Sequence, residues 1–215
     1  MRRTVKYLEM RARALVPGRA RTMLRALRSL AAAEPSRPLP AELIRDCRFC
    51  ASRVALLDEL PQDGVVAELG TYKGDFARQI VARAKPRELH LVDIDYSQFD
   101  PSGLAEPQVR CHRGLAHEVI ASFPDDSFDW IYIDADHSHA SALSDARASA
   151  AKIKPGGFMV FNDFAHADPR GGRYGVHRAV VDFAIESGWP FRFFAYEVLA
   201  LYDVALGKPV RPIAR

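Results

Sequence analysis

From Gly64 onward the sequence alternates short apolar runs with amphipathic stretches, and few folds accommodate that rhythm. Residues 65–69, 89–93, 109–112, 128–134 and 158–162 have strand length, whereas 75–84, 116–123, 141–152 and 176–187 have helical periodicity. Such alternation predicts an α/β fold, a parallel sheet with helices on both faces. The end departs from the pattern, because 191–197 and 199–206 are adjacent strands with no room for a crossover helix. They must close the sheet as an antiparallel hairpin.

Composition limits the rest of the plan. A chain of 215 residues with 48% apolar content can bury one ordinary core plus an appendage, which excludes disorder and a disulfide-stapled miniprotein. No apolar run reaches the ~18–20 residues of a membrane span, so the protein is expected to be soluble. Three cysteines, an odd number, point to free thiols in a reducing compartment, with the cytoplasm as the expected location.

Charge is distributed unevenly. Of 30 Lys and Arg and 27 Asp and Glu, residues 1–30 hold nine bases against one acid, Glu9, which leaves 21 bases and 26 acids downstream. The segment 1–40 therefore reads as a basic helical arm and Pro-rich linker, followed by a body over 41–215. Three readings of the arm stay open: an amphipathic helix on an anionic membrane surface, a nucleic-acid arm, or a solvated helix packed on the body or on a second subunit. After the linker, Leu43, Cys47, Cys50, Val54 and Leu57 recur at spacings of 4, 3, 4 and 3, which predicts one helix face with the cysteines packed in it.

Open parallel sheets bind ligands at the carboxyl ends of their strands. The first such end reads Glu68-Leu69-Gly70-Thr71-Tyr72-Lys73-Gly74, where the glycines let the backbone turn tightly beside a ligand. It is neither a Gly-x-Gly-x-x-Gly fingerprint nor a Walker loop. The next strand ends in Asp93, 25 residues after Glu68, where a carboxylate can accept both hydroxyls of a ribose. Gly114-Leu115-Ala116 after the third strand offers a small-residue turn against which an adenine could lie.

Over residues 60–206 these features resemble the class I S-adenosylmethionine-dependent methyltransferases. The resemblance implies a Rossmann-like, seven-stranded, mostly parallel sheet with an antiparallel last strand. It also implies that Glu68, Gly70, Thr71, Tyr72 and Gly74 lie under the methionine part of S-adenosyl-L-methionine, that Asp93 binds the ribose, and that Gly114 and Ala116 flank the adenine. Asp134 would border the same cofactor.

The fourth strand runs into Asp134-Ala135-Asp136-His137 and the fifth into Asn162-Asp163. Both ends share the sheet edge of the cofactor loop, so Asp134, Asn162 and Asp163 are candidate oxygen ligands for Mg²⁺. These segments are similar to the metal-dependent O-methyltransferases, both the catechol type and the macrocin type that tailors sugars. In the sugar-tailoring group a histidine three residues after the strand-four aspartate is the general base, which implies that role for His137.

The expected function is O-methylation of a hydroxyl on a small molecule, such as a sugar, a glycolipid headgroup or another diol. The alternatives are a metal-independent small-molecule methyltransferase and, behind it, a nucleic-acid methyltransferase or a non-catalytic cofactor-binding module. Nucleic acid is not an expected partner, because the body is acidic and no Asn/Asp-Pro-Pro-Tyr/Phe follows the fourth strand. Peripheral membrane contact through the arm and homo-oligomerisation complete the expectations, along with a Gly-rich segment at 165–174 as a candidate lid.

Overall fold

A computed structural model describes residues 36–166 and 174–210. The basic arm and the central part of the candidate lid lie outside the described residues. The elements in chain order are α1 (Ala41–Ile44), β1 (Arg48–Cys50), α2 (Arg53–Leu57), β2 (Val65–Leu69), α3 (Asp75–Ala84), β3 (Glu88–Asp93) and β4 (Val109–Arg113). Then follow α4 (Ala116–Ala121), β5 (Phe128–Ile133), α5 (His139–Ala150), β6 (Ile153–Phe164), α6 (Val176–Ser187), β7 (Phe191–Ala195) and β8 (Tyr202–Gly207).

One mixed sheet of eight strands, ordered β1-β7-β8-β6-β5-β2-β3-β4, organises the chain. Every neighbouring pair is parallel except those of β8, which runs antiparallel to both β6 and β7. Seven strands therefore deliver their carboxyl ends to one edge. That edge collects the loops after Cys50, Leu69, Asp93, Arg113, Ile133, Phe164 and Ala195.

Strand parity distributes the core. Along β5, Phe128, Ile131 and Ile133 pack with α4, α5 and α6, whereas Trp130 and Tyr132 pack with α2 and α3. Both faces are thus covered, as a parallel sheet requires. Helix α3 starts after Gly74, whose φ of 80° is left-handed, and α5 starts at Ser138, whose side chain accepts from Ser141 N at 3.3 Å. Trp189 is buried and meets Phe183 edge to face.

Two expectations need correction. The sheet has eight strands instead of seven, because Arg48–Cys50 pairs in parallel with Phe193–Ala195 and extends it beyond the hairpin. For the same reason 43–57 is not one helix: α1 and α2 flank β1, and Cys47 and Cys50 do not share a helix face. Burial raises both thiols above their ordinary range, so neither is an activated nucleophile.

Phe161 is fully buried in the central strand β6, whereas Phe49 on the edge is 80% exposed. Phe161→Ala is expected to cost about 3–5 kcal/mol of unfolding free energy. Phe49→Ser is expected to change it by less than about 0.5 kcal/mol. Urea denaturation of the two variants checks the pair.

Candidate functional site

The site begins where β2 and β5 end. Asp134 N–H donates to the Leu69 carbonyl at 2.7 Å, which ties the two strand ends together. At Gly70, φ is +93°, and an added Cβ would lie 2.0 Å from the Asp134 carbonyl oxygen. No side chain fits there. Tyr72 also adopts a left-handed φ of 49°, and its N–H donates to Asp93 Oδ2 at 2.7 Å, joining the glycine loop to the end of β3.

A cavity of about 720 Å³ opens at this edge, within the range of small-molecule sites. Its wall brings together Glu68, Gly70, Thr71 and Tyr72 with Asp93, Gly114, Ala116, Asp134 and His137. Gly74 supports the loop from outside the wall, where an added Cβ would meet Leu104 and Phe99. Asp95 is exposed and occupied with Ser97, whose N–H and hydroxyl hold its carboxyl below the usual carboxylate range.

Two polar atoms on this wall lack protein partners. Glu68 is 1% exposed, and its Oε2 and the Thr71 hydroxyl make no hydrogen bond. Burial, with Asp134 nearby, pushes the Glu68 carboxyl well above its usual range. Buried polar atoms in that state call for a donor or a cation from a ligand. The residues fit S-adenosylmethionine, which carries an ammonium group, hydroxyls and a sulfonium.

Beside this half of the site, His137 Nε2 stands 3.4 Å from Asp134 Oδ1 and 3.3 Å from Asp163 Oδ2. The contacts are ion pairs without the alignment of a hydrogen bond. Burial alone would lower the imidazole, but the two carboxylates reverse this and raise its pKa to about 10. Asp134 is itself raised, because its own burial outweighs the pull of His137. Both shifts are upward, as in a cluster that holds its protons in common, and the close pair of acids around one imidazole favours the imidazolium.

Local backbone brings Asp163 there. The β6–β8 register shifts between Phe161 and Phe164, and Asp163 takes a left-handed φ of 56° inside that irregularity. Such irregularities re-aim side chains at strand ends. From the other side, the His137 carbonyl accepts Gly175 N–H at 2.6 Å, and the Tyr174 ring lies 4.5 Å from the imidazole.

The structure does not bring Asn162 to this point. Its Nδ2 donates to Tyr132 Oη at 3.2 Å and to Asp203 Oδ1 at 3.1 Å, and Tyr132 Oη donates to Asp203 Oδ2 at 2.5 Å. Strand parity sends Asn162 to the α2/α3 face, where burial lifts the Asp203 carboxyl to about 7. Among the described residues no group of three His, Cys, Asp or Glu side chains is arranged to hold a metal ion. As a test of Mg²⁺, the donor set fits at two positions, the Asp134 and Asp163 oxygens, and not at the Asn162 amide nitrogen.

Three contributors were missed by sequence reasoning. Arg53 lines the cavity from α2 with its guanidinium 4.6 Å from the Phe76 ring, and Tyr132, Asp203 and Asp134 raise its pKa against the effect of burial. His117 and Asp145 close the end of the cavity beside Gly114 and Ala116, with Nδ1 and Oδ1 3.7 Å apart. No motif marks Arg53 or Asp145: Arg53 follows a strand, Arg48–Cys50, that the sequence hides, and Asp145 lies within a helix. His117 directly follows the Gly114–Ala116 turn.

Residues 67–164 match a methyltransferase-domain family. No curated protein matches the chain in sequence. Among solved structures, a protein from Lactococcus lactis described as a hemolysin shares 14% identity at a TM-score of 0.57, over 72% of this chain and 83% of its own. The S-adenosylmethionine-dependent methyltransferase from Mesorhizobium loti shares 17% at 0.53, over 72% and 96%. The N-methyltransferase NodS from Bradyrhizobium japonicum WM9, solved with S-adenosyl-L-homocysteine, shares 15% at 0.56, over 73% and 86%. Residues 67–164 are thus similar to a methyltransferase domain, and the chain has the Rossmann-like fold seen in S-adenosylmethionine-dependent methyltransferases.

Asp145 yields a pH prediction. It is 3% exposed, and burial raises its pKa to about 6 against the opposing charge of His117. The folded state therefore holds a proton that the unfolded chain has already released, so stability falls as pH rises from about 4 to about 6. Asp145→Asn removes that loss. Its unfolding free energy should gain on the natural chain by about 2–3 kcal/mol across that window and keep a constant lead above it. Denaturant titrations at pH 4 and pH 7 check this.

Proposed function

We propose that the protein is an S-adenosylmethionine-dependent O-methyltransferase that acts, with divalent-metal assistance, on a hydroxyl of a sugar, glycolipid headgroup or other diol. The observation that carries this reading is the convergence of Asp134 and Asp163 on His137 Nε2 beside the cavity. An alcohol is a poor nucleophile until its proton leaves, and this cluster holds a base and two hard-oxygen donors in one place.

Six acids of the wall, Glu68, Asp75, Asp93, Asp134, Asp136 and Asp145, outnumber its one arginine and one lysine, Arg53 and Lys73, which suits a cationic ligand. Glu68 and Thr71 would take the ammonium end, Asp93 the ribose hydroxyls, and the turn around Gly114 and Ala116 the adenine. Bound S-adenosylmethionine supplies an electrophilic methyl group, which bonds to the acceptor oxygen as its carbon–sulfur bond breaks and the electron pair stays on sulfur. A divalent ion on Asp134 and Asp163 would make the acceptor hydroxyl more acidic.

The chain's own work is alignment and proton transfer. While both carboxylates pull on it, His137 keeps its proton and cannot act as a base. Engagement of either carboxylate by a ligand relaxes that pull, and Nε2 can then take the hydroxyl proton. The Tyr174 ring packs against the imidazole, and the bond from Gly175 holds the His137 backbone in position. Alignment of oxygen, methyl carbon and sulfur supplies the remaining acceleration.

A metal-free enzyme is the second reading, favoured by the position of the imidazole between the two carboxylates. One assay separates the two: transfer of labelled methyl groups from S-adenosylmethionine to a panel of sugars and diols. His137→Gln is expected to lower kcat by about 10²- to 10⁴-fold with S-adenosylhomocysteine affinity unchanged. Chelation by EDTA should stop transfer and Mg²⁺ should restore it. Full activity in EDTA would establish the metal-free reading, and unchanged turnover in the variant would remove His137 from the mechanism.

A further inference from the structure

Of the nine exposed large apolar side chains among the described residues, seven fall in two groups, and Ile44 and Val210 lie apart from both. Tyr72, Ile94 and Leu115 border the cofactor cavity. Phe49, Tyr196, Val198 and Leu199 gather instead at the other end of the same carboxyl edge, with exposures of 80%, 54%, 77% and 56%. Contiguous exposed apolar groups mark binding surfaces, whereas singly scattered ones do not.

Cross-strand pairing builds this second group into a shelf. Phe49 on β1 is in register with Phe194 on β7, and their rings are 5.3 Å apart. Phe194 meets Tyr202 on β8 at 4.8 Å, and Tyr202 meets Tyr196 at 6.2 Å. Tyr202 is in register with Phe164 on β6, which also reaches Phe194 at 6.3 Å. Asp163, the residue before Phe164, touches His137. A chain of aromatic contacts thus runs from Phe164, the residue after Asp163, to the sheet edge.

We infer that this shelf binds the apolar body of the acceptor, so that the substrate is a hydroxylated head joined to an acyl or aryl extension. The inference rests on the methyl-transfer reading, which puts the reacting hydroxyl at His137. From β5 to β7 is three strand spacings, roughly 14 Å. A free monosaccharide or a catechol reaches only the near end of that distance. A glycolipid or an aryl glycoside spans it, with its ring head beside the His137 imidazole and its apolar part on Phe194, Tyr196, Val198 and Leu199. Aromatic rings suit such a body, since they offer large flat faces at little entropic cost. Continuity with the reacting centre favours the acceptor over a second copy of the chain, for which β1 supplies only three residues of free edge.

The test uses methyl, hexyl and octyl β-glucosides, kept below micelle concentration, titrated calorimetrically into the full chain saturated with S-adenosylhomocysteine. Affinity should rise about two- to fourfold per added methylene until the shelf is filled, which makes the octyl compound more than 10-fold tighter than the methyl one. The exposed double substitution Val198→Ser with Leu199→Ser should cancel that gain while S-adenosylhomocysteine binding and thermal stability stay unchanged. Equal affinity for all three glucosides, no glucoside binding, or a gain that survives the double substitution would each overturn the inference. Pelleting with anionic phosphatidylglycerol vesicles that the double variant loses, without any glucoside gain, would overturn it in favour of a membrane surface. Repeating the series without S-adenosylhomocysteine separates the two readings, because chain-length dependence with no nucleoside binding would keep the shelf and remove methyl transfer.

Discussion

The hydrogen bond from Asp134 N–H to the Leu69 carbonyl, at 2.7 Å, fixes the separation of the two strand ends on which the site is built. Closing them so tightly leaves room for nothing but a hydrogen on the Gly70 α-carbon, and the left-handed φ at that residue reinforces the demand. Everything else is placed relative to this seam. Glu68 and Thr71 lie on one side of it, Asp134 and His137 on the other, and the Asp93 carboxylate receives the loop through Tyr72.

The resulting cavity is electrostatically expensive. Glu68 and Asp134 are both raised by burial, and Arg53 is the cation that α2 sends to the same wall. Carboxylates taken out of water without full compensation lower stability, and natural folds keep such groups where a ligand completes them. The orphaned Glu68 and Thr71 oxygens are the sharpest sign of that state. On the opposite flank, Asp203, Tyr132 and Asn162 satisfy one another and need no ligand.

Much of this was legible in the sequence, and the exceptions have physical causes. Helices α3 and α6 and strand β2 fall at the expected residues, because their periodicity and their Gly boundaries agree. Strand β1 was hidden, since its residues also fit a helical spacing and only pairing with β7 decides the matter. Strand β6 extends back to Ile153 through Pro155, Gly156 and Gly157, which locally read as a turn. The adjacency of Asn162 and Asp163 suggested a common ligand set, but strand alternation turns one side chain to the α2/α3 face. The irregularity at Asp163 carries the other to His137. Arg53 and Asp145 reach the cavity from helices whose only local signals are those of packing.

The central claim is that this edge of the sheet binds S-adenosylmethionine, and calorimetric titration of S-adenosylhomocysteine tests it most directly. The natural chain should bind one equivalent with micromolar or tighter affinity. Asp93→Ala, which removes the proposed ribose acceptor while leaving the core untouched, should weaken binding by about 10- to 100-fold, as expected for losing hydrogen bonds to a charged group. No heat of binding to the folded natural chain, or equal affinity in both proteins, would contradict the account.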